Sequence, residues 1–267
     1  MICFPNAKIN IGLFVTGKRD DGFHNIETLF YPVPLCDALE IFPSEKLSIS
    51  QSGSSIPPEP DDNLVIKAYR EMQKKYNFPP VSIFLKKAIP SRAGLGGGSA
   101  DAAFMLKSIN RLYNMEVSEE KLEEIASSIG ADCPFFIKNR PVVAVGTGNV
   151  FTHSDLSLKG YTVHIVKPPV EVSTMEAYSM IKPMKSSFNL EKLSSVPVSE
   201  WKNVLKNDFE PVISDRYPII KEIKDIMYEK GAEFASMSGS GSAVYGLFKK
   251  SISPHYHKCF VWKGTLG

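Results

Sequence analysis

The sequence feature that most constrains the fold is a glycine-rich stretch at residues 89–103, IPSRAGLGGGSADAA. Its glycines precede a helical pattern at residues 99–113, where apolar residues recur at spacings of three and four. An alternating strand pattern at residues 81–86 comes before it. Glycine leaves backbone N–H groups unshielded, and a helix N-terminus adds the positive end of its dipole. The order of strand, glycine loop and helix therefore predicts an anion-binding loop rather than a flexible turn.

Two familiar phosphate-binding loops do not fit this stretch. A Walker A loop needs Lys and then Ser or Thr after its last glycine, but Ser99 and Ala100 follow Gly98. The dinucleotide-binding fingerprint needs a third glycine at its sixth position, and that position is Ser99. The loop is therefore neither a Walker A loop nor a dinucleotide-binding loop.

Length and composition exclude several classes of protein. A chain of 267 residues with 43% hydrophobic and 22% charged residues is typical of a globular protein with one large or two modest domains. Its net charge of +2 offers no basic field for nucleic acid. No apolar run approaches the roughly 20 residues of a membrane span, and the N-terminus has no signal-peptide pattern. Four cysteines without a CxxC motif favour reduced thiols in the cytoplasm.

The first strand pattern, at residues 7–15, places Lys8 and Asn10 on the same face. Because a pair of polar residues on one strand face is usually solvated, we expect that face to be exposed. A charged turn at residues 18–24 follows, and its Phe23 and His24 fit a plain surface and a ligand-stacking face equally well. Residues 25–31 form the next predicted strand.

Further elements complete an α+β chain. A helix at residues 62–72 is predicted with Asp62 as its N-cap, and another at residues 118–129 is closed by Gly130 in a left-handed conformation. Asp132 lies just past that helix and is either a local cap or a functional carboxylate. His164 lies in an apolar strand and is expected in the core. A second Gly/Ser loop occupies residues 236–242. We expect two lobes, residues 1–155 and 156–267.

Three stretches together resemble the motifs of the GHMP kinases: residues 7–10, the glycine loop at 90–100 and the Gly/Ser loop at 238–242. The resemblance spans nearly the whole chain. It implies the two-lobed α+β GHMP kinase fold, with an N-terminal lobe like ribosomal protein S5 domain 2, a left-handed βαβ unit, and an α/β C-terminal lobe. It also implies ATP- and Mg²⁺-dependent phosphorylation of a small-molecule alcohol.

Residues 21–30, 130–136 and 207–210 are similar to one branch of that family, in which the acceptor is a cytidyl diphosphate sugar alcohol. This argues against a GHMP kinase of the homoserine or mevalonate type. It also argues against a nucleotide-binding protein without catalysis, because the catalytic residue types are intact.

The resemblance also implies roles for individual residues. Lys8 and Asp132 match the catalytic pair, and no residue is assigned firmly as a metal ligand, although Ser99 is a candidate for Mg²⁺ or phosphate. Phe23 stands where the family usually has Tyr, so the aromatic face is kept and the hydroxyl is lost. The residues implied for ATP are Asn63, Pro90, Ser91, Ala93, Gly94, Leu95, Gly96, Gly97, Gly98, Ser99 and Ala100. Those implied for the acceptor are Asn10, Phe23, His24, Tyr31 and Tyr178.

Overall fold

The computed structural model describes residues 1–53, 63–250, 252 and 256–267. The chain forms two compact units, each built from several segments. The first unit comprises residues 1–7, 35–91 and 96–140, and the second comprises residues 8–34, 92–95 and 141–267. The sequential lobes divided near residue 155 stay a prediction.

The β-strands lie at both ends and in the middle of the chain. In chain order they are β1 (Ile2–Cys3), β2 (Asn6–Lys18), β3 (His24–Cys36), β4 (Ala38–Pro43), β5 (Ser48–Gly53), β6 (Val81–Lys87), β7 (Val142–Val145), β8 (Val150–His153), β9 (Thr162–Lys167), β10 (Phe234–Met237), β11 (Val244–Phe248) and β12 (Phe260–Thr265).

The α-helices are shorter on average in the second unit. They are α1 (Leu64–Lys75), α2 (Gly97–Leu112), α3 (Glu119–Ser127), α4 (Phe135–Lys138), α5 (Thr174–Ser179), α6 (Trp201–Val204), α7 (Glu210–Arg216) and α8 (Ile219–Glu229). Two 3₁₀ helices, Leu190–Ser195 and Val198–Glu200, precede α6. Across the described residues, every helix is too short or too polar to cross a membrane.

The first unit packs helices against a four-stranded sheet of order β1-β4-β6-β5. Strands β5 and β6 run parallel, and α1 lies between them in the sequence. Helix α1 buries Val65, Ala68 and Met72 along one face, and α2 packs against it. That spacing of three and four is the one from which the helix was predicted. The predicted N-cap Asp62 lies outside the described residues, and the observed N-cap is Asn63.

The second unit contains two sheets, of order β2-β3-β7-β8 and β10-β11-β9-β12. The second of these is antiparallel throughout. Its apolar core joins Leu13 and Val15 of β2 to residues of α7, α8 and β11. Strand β2 is therefore buried along most of its length, including positions that the sequence pattern assigns to a polar face.

Two local predictions have opposite outcomes. Helix α3 begins at its predicted cap, because the Ser118 side chain accepts a hydrogen bond from the Lys121 N–H. The predicted left-handed closure at Gly130 is wrong: the helix ends at Ser127, its C-cap Ser128 is in right-handed geometry, and Gly130 does not lie in the left-handed region. The Ser128 hydroxyl donates to the Ile125 carbonyl and closes the helix without glycine.

Candidate active site

Lys8 and Asn10 lie side by side on β2, and both are buried. Lys8 is 3% exposed and Asn10 is 2% exposed, so the expectation of a solvated face is wrong. The reason is tertiary: other segments of the second unit cover this face of the strand. Lys8 Nζ donates to Asn10 Oδ1 at 2.7 Å and lies 4.7 Å from the centre of the Phe30 ring. A neutral amide oxygen orients the ammonium group without cancelling its charge.

The Gly/Ser loop joins this strand to the start of the glycine loop, within the second unit. Ser238 Oγ donates to the Gly94 carbonyl at 2.8 Å and accepts from the Asn10 N–H at 3.2 Å. The Lys8 N–H donates to the Leu95 carbonyl at 2.9 Å. Residues from all three motifs singled out in the sequence thus meet around one buried serine hydroxyl.

Gly94 has a specific steric requirement for glycine. Its φ is +74°, in the region that L-residues avoid, and a Cβ there would lie 1.9 Å from the Ser238 carbonyl oxygen. The two loops therefore approach too closely to leave room for a side chain at position 94.

The rest of the glycine loop, in the first unit, opens helix α2. Gly96 is the N-cap, with φ of +71°, and no side chain caps the helix there. Gly97 is closely packed, because an added Cβ would lie 2.8 Å from Ile89 Cγ2. Gly98 is exposed, and an added Cβ would have only Leu64 Cδ1 nearby, at 3.4 Å. The exposed first turn offers backbone N–H groups at the positive end of a 16-residue helix, which suits a phosphate.

Side chains around the loop divide by exposure. Ser91 is exposed and Ser99 is partly exposed, so either hydroxyl is accessible to a ligand. The buried residues of the loop hold its conformation instead, and only their backbone groups can contact a ligand. These buried residues are Pro90, Ala93, Leu95 and Ala100.

A buried ionic cluster supports the loop from inside the first unit. Lys87 Nζ, at the end of β6, contacts Asp37 and donates to Asp101 Oδ2 of α2 at 2.5 Å. Asp37 also accepts from the Ala88 and Ile89 N–H groups, at 2.6 and 2.8 Å. Burial raises the pKa of Asp101 to about 7 despite Lys87, with Asp37 adding repulsion. The cluster was not predicted from the sequence, although Lys87 and Asp101 flank the glycine loop there.

Asp132 lies in the turns between α3 and α4 and is partly exposed. The neighbouring Cys133 is fully buried, and burial raises the pKa of its thiol to about 12. The Cys133 side chain therefore has a packing role, and the partly exposed carboxylate of Asp132 is the group that a substrate can reach. Asp132 belongs to the first unit and Lys8 to the second.

Asn63, implied for the adenine pocket, holds the start of α1. Its Oδ1 accepts from the Val65 N–H at 2.8 Å, and its Nδ2 donates to Gln51 Oε1 at 2.8 Å. The residue is 5% exposed. Its part in nucleotide binding stays a prediction, and the observed contacts are those of a helix cap.

The residues implied for the acceptor fall into two groups in the second unit. His24 and Tyr178 stack, with ring centres 4.9 Å apart and planes 25° apart, and the adjacent Phe23 is 65% exposed. Tyr31 is buried, and its hydroxyl accepts from the Leu158 N–H at 3.0 Å. Alternation along β3 places Tyr31 on the opposite face from Phe30. His24 and Tyr178 thus form an aromatic surface, with Phe23 next to His24 in the sequence, and Tyr31 is not part of it.

The segment at residues 207–210 fastens the Gly/Ser loop, a role that sequence reasoning left open. Asn207 Nδ2 donates to the carbonyls of Met237 and Gly239, both at 2.8 Å. Asp208 Oδ2 accepts from the Val15 N–H of β2 at 2.8 Å. The segment therefore ties the loop and the strand of Lys8 to one short stretch of chain.

Among the residues that the structure describes, no three His, Cys, Asp or Glu side chains lie together in a way that could hold a metal ion. A metal cage made by protein alone is thus absent from this part of the chain. Mg²⁺ commonly keeps waters and uses substrate phosphates as ligands, so this finding is compatible with a metal bound to ATP.

The architecture matches that of a known class of enzymes. The family model of the GHMP kinases N terminal domain matches residues 63–140, and that of the GHMP kinases C terminal domain matches residues 196–254. A mevalonate kinase structure from Methanococcus jannaschii aligns over 100% of this chain and 98% of its own, with a TM-score of 0.66 and 14% identity, a likeness of fold alone. The chain has the α+β GHMP kinase fold predicted from its sequence.

Its relatives define the branch. A 4-diphosphocytidyl-2-C-methyl-D-erythritol kinase of Parabacteroides distasonis is 54% identical over 100% of both chains. One from Bacteroides fragilis is 56% identical over 93% of this chain and 92% of its own. A crystal structure of 4-(cytidine 5'-diphospho)-2C-methyl-D-erythritol kinase covers 100% of this chain and 99% of its own, with a TM-score of 0.80 and 29% identity. The chain belongs to this family of GHMP kinases and is an ATP-dependent small-molecule kinase.

Proposed function

We propose that this chain transfers the γ-phosphoryl group of ATP to the 2-hydroxyl group of 4-diphosphocytidyl-2-C-methyl-D-erythritol, in the non-mevalonate isoprenoid pathway. The names of relatives similar over nearly their whole length support this acceptor. The proposal includes a cytoplasmic location, in keeping with four cysteines that are free thiols.

The observation that carries the proposal is the junction around Ser238. It fixes Lys8, the start of the glycine loop and the Gly/Ser loop through hydrogen bonds of 2.8–3.2 Å inside one unit. Phosphoryl transfer depends on positioning and charge stabilisation more than on covalent chemistry with the protein. A buried, oriented ammonium group fastened to a phosphate-binding loop meets that requirement.

The glycine loop supplies the phosphate site of the proposed reaction. Backbone N–H groups at Gly98 and Ser99 lie in the exposed first turn of α2, and the helix dipole favours negative charge there. The Ser99 hydroxyl is our candidate protein ligand for Mg²⁺, an ion that commonly keeps waters and substrate phosphates as ligands. When bound, Mg²⁺ supplies charge neutralisation at the transferring phosphate.

Asp132 and Lys8 carry the chemistry in this proposal. Asp132 accepts the proton of the attacking hydroxyl as general base, which requires a carboxylate accessible to the acceptor. Lys8 contributes positive charge that stabilises the developing negative charge of the transition state.

The aromatic surface of His24 and Tyr178, together with the neighbouring exposed Phe23, is our candidate site for the cytosine ring. A flat base stacks on exposed aromatic rings, and the His24 ring nitrogens offer a donor and an acceptor for the base edge. The T-shaped contact of Tyr178 with the buried Phe209, with ring centres 4.8 Å apart, holds this surface against the core. A rigid stacking surface reduces the ordering cost of binding.

A substrate panel tests the acceptor directly. Phosphorylation coupled to ADP release is measured with 4-diphosphocytidyl-2-C-methyl-D-erythritol, homoserine and mevalonate under identical ATP and Mg²⁺ concentrations. We expect turnover of the cytidyl substrate alone. Turnover of homoserine or mevalonate with none of the cytidyl substrate would replace the proposed acceptor.

The general base is tested by Asp132→Asn, which keeps the shape of the side chain and removes its basicity. We expect kcat to fall by about 10²–10⁴-fold while ATP affinity, measured by calorimetry, stays near that of the wild type. A local capping role for Asp132 predicts instead a lower thermal midpoint with kcat nearly unchanged, so both quantities are measured on one preparation.

The cytidine site is tested by His24→Ala. Removing the ring that stacks on Tyr178 should raise the KM for the cytidyl substrate far more than the KM for ATP. His153→Ala, at an exposed histidine of the same unit, is the matched control. An equal rise in both KM values for His24→Ala would exclude base recognition by this surface.

A further inference from the structure

Lys8 stands at the end of a hydrogen-bond chain that continues through Asn10 to a threonine outside the recognised motifs. Lys8 Nζ donates to Asn10 Oδ1 at 2.7 Å, and Asn10 Nδ2 donates to Thr28 Oγ1 at 3.0 Å. Thr28 Oγ1 in turn donates to the Gly12 carbonyl at 2.6 Å. Asn10 is 2% exposed and Thr28 is 0% exposed, so water does not compete for these bonds.

The polarity of this chain is fixed at both ends. A backbone carbonyl only accepts, so the single proton of the Thr28 hydroxyl is committed to Gly12. The oxygen of Thr28 therefore faces Asn10 as an acceptor, and Asn10 must present its NH₂ group to it. The amide oxygen of Asn10 is thereby turned towards Lys8, whose ammonium group only donates.

From this geometry we infer that Thr28 is a positioning residue for phosphoryl transfer, setting the amide of Asn10 and through it the ammonium group of Lys8. The inference rests on the proposed catalytic role of Lys8. It also gives Asn10 a task different from the substrate contact that the family resemblance implies. Without this chain of hydrogen bonds, a threonine that is 0% exposed on a strand would be assigned only a role in core packing.

The neutral amide at position 10 is what the inferred role requires. A carboxylate would also orient Lys8, but it would pair with the ammonium group and cancel the charge that the transition state needs. The Phe30 ring, 4.7 Å from Lys8 Nζ, likewise holds a cation without neutralising it. Thr28, Asn10 and Phe30 together fix the position of the charge, and none of the three carries a negative charge of its own.

The central experiment compares Thr28→Val with Thr28→Ser. Valine has nearly the shape of threonine but cannot accept from Asn10, so the amide loses the group that fixes its orientation. We expect kcat to fall by up to about 10-fold, the range for the loss of one neutral hydrogen bond, with little change in the calorimetric ATP affinity. Serine keeps the hydroxyl and should retain most of kcat. Thr152→Val, at an exposed position of the same sheet, is the control for threonine loss.

The same substitution in a Lys8→Ala background decides whether Thr28 acts through Lys8. If it does, Thr28→Val lowers kcat no further there, because residues acting as a unit are not additive. A full additional loss would overturn the inference while leaving the proposed role of Lys8 intact. An unchanged kcat for Lys8→Ala alone would overturn both.

Asn10→Asp keeps the test decisive if Thr28→Val does not fold. The carboxylate pairs with Lys8 and should lower kcat by a similar factor, again with no further loss in the Lys8→Ala background. A kcat equal to that of the wild type for Asn10→Asp, or for a folded Thr28→Val, would overturn the inference.

Discussion

Asp101→Asn should change how the stability of this protein depends on pH. Asp101 is 2% exposed, and its Oδ2 accepts a hydrogen bond from Lys87 Nζ. Its Oδ1 is buried with no hydrogen-bond partner. Burial is the main cause that raises its pKa from 3.8 to about 7. An acid with a raised pKa in the folded state binds more protons folded than unfolded between those values. The contribution of Asp101 to stability is therefore fully present below pH 3.8 and is lost as the pH rises to about 7.

The size of the effect follows from the shift. About three pKa units at about 1.4 kcal/mol each correspond to about 4 kcal/mol, of which about 2 kcal/mol falls between pH 5 and 7. Urea unfolding of the wild type and of Asp101→Asn at pH 5, 6, 7 and 8 measures it. From pH 5 to 7 the free energy of unfolding of the variant should rise by about that amount relative to that of the wild type. Above pH 7 the difference between the two should stay nearly constant. Asp215→Asn, at an exposed helical position, is the matched control. A constant difference between the wild type and Asp101→Asn across the series would refute the reasoning.

Three further substitutions or modifications test the structure away from this cluster. Gly94→Ala should lower the thermal midpoint and the activity much more than Gly160→Ala does. Both glycines have positive φ, but of the two only Gly94 would bring its Cβ against a backbone atom, the Ser238 oxygen. Equal effects of the two substitutions would contradict the close approach. Burial raises the pKa of the Cys133 thiol to about 12, so iodoacetamide at pH 8 should leave it unmodified until urea unfolds the protein, as mass spectrometry of peptides would reveal. Burial lowers the pKa of His164, whose ring nitrogens lack hydrogen-bond partners. Its contribution to stability is therefore lost as the pH falls below 6.5, and His164→Met should reduce acid destabilisation in thermal melts at pH 5 to 7; an unchanged acid limb would exclude this role.

The longer helices could be predicted because their pattern is local. Helices α1, α2 and α3 carry apolar residues at helical spacing, and Ser118 is a recognisable cap, so their positions were predicted to within a few residues. Short strands such as β1, β8 and β10 were not predicted. Two to four residues carry too little periodicity, and their extended conformation comes from the partner strands they pair with.

The sequence alone determined the family and supplied the residues that we propose for its chemistry. A glycine loop leading into a helix, Lys8 on a strand and a second Gly/Ser loop were recognisable because each is a short contiguous pattern. Tertiary structure alone decided that Lys8 and Asn10 are buried, since a strand pattern does not reveal what covers its polar face. It also decided the contacts among residues distant in sequence, namely the Asp37–Lys87–Asp101 cluster, the hold of Asn207 on the Gly/Ser loop and the link from Thr28 to Lys8. Those contacts depend on how the folded chain brings distant segments together, which no local pattern specifies.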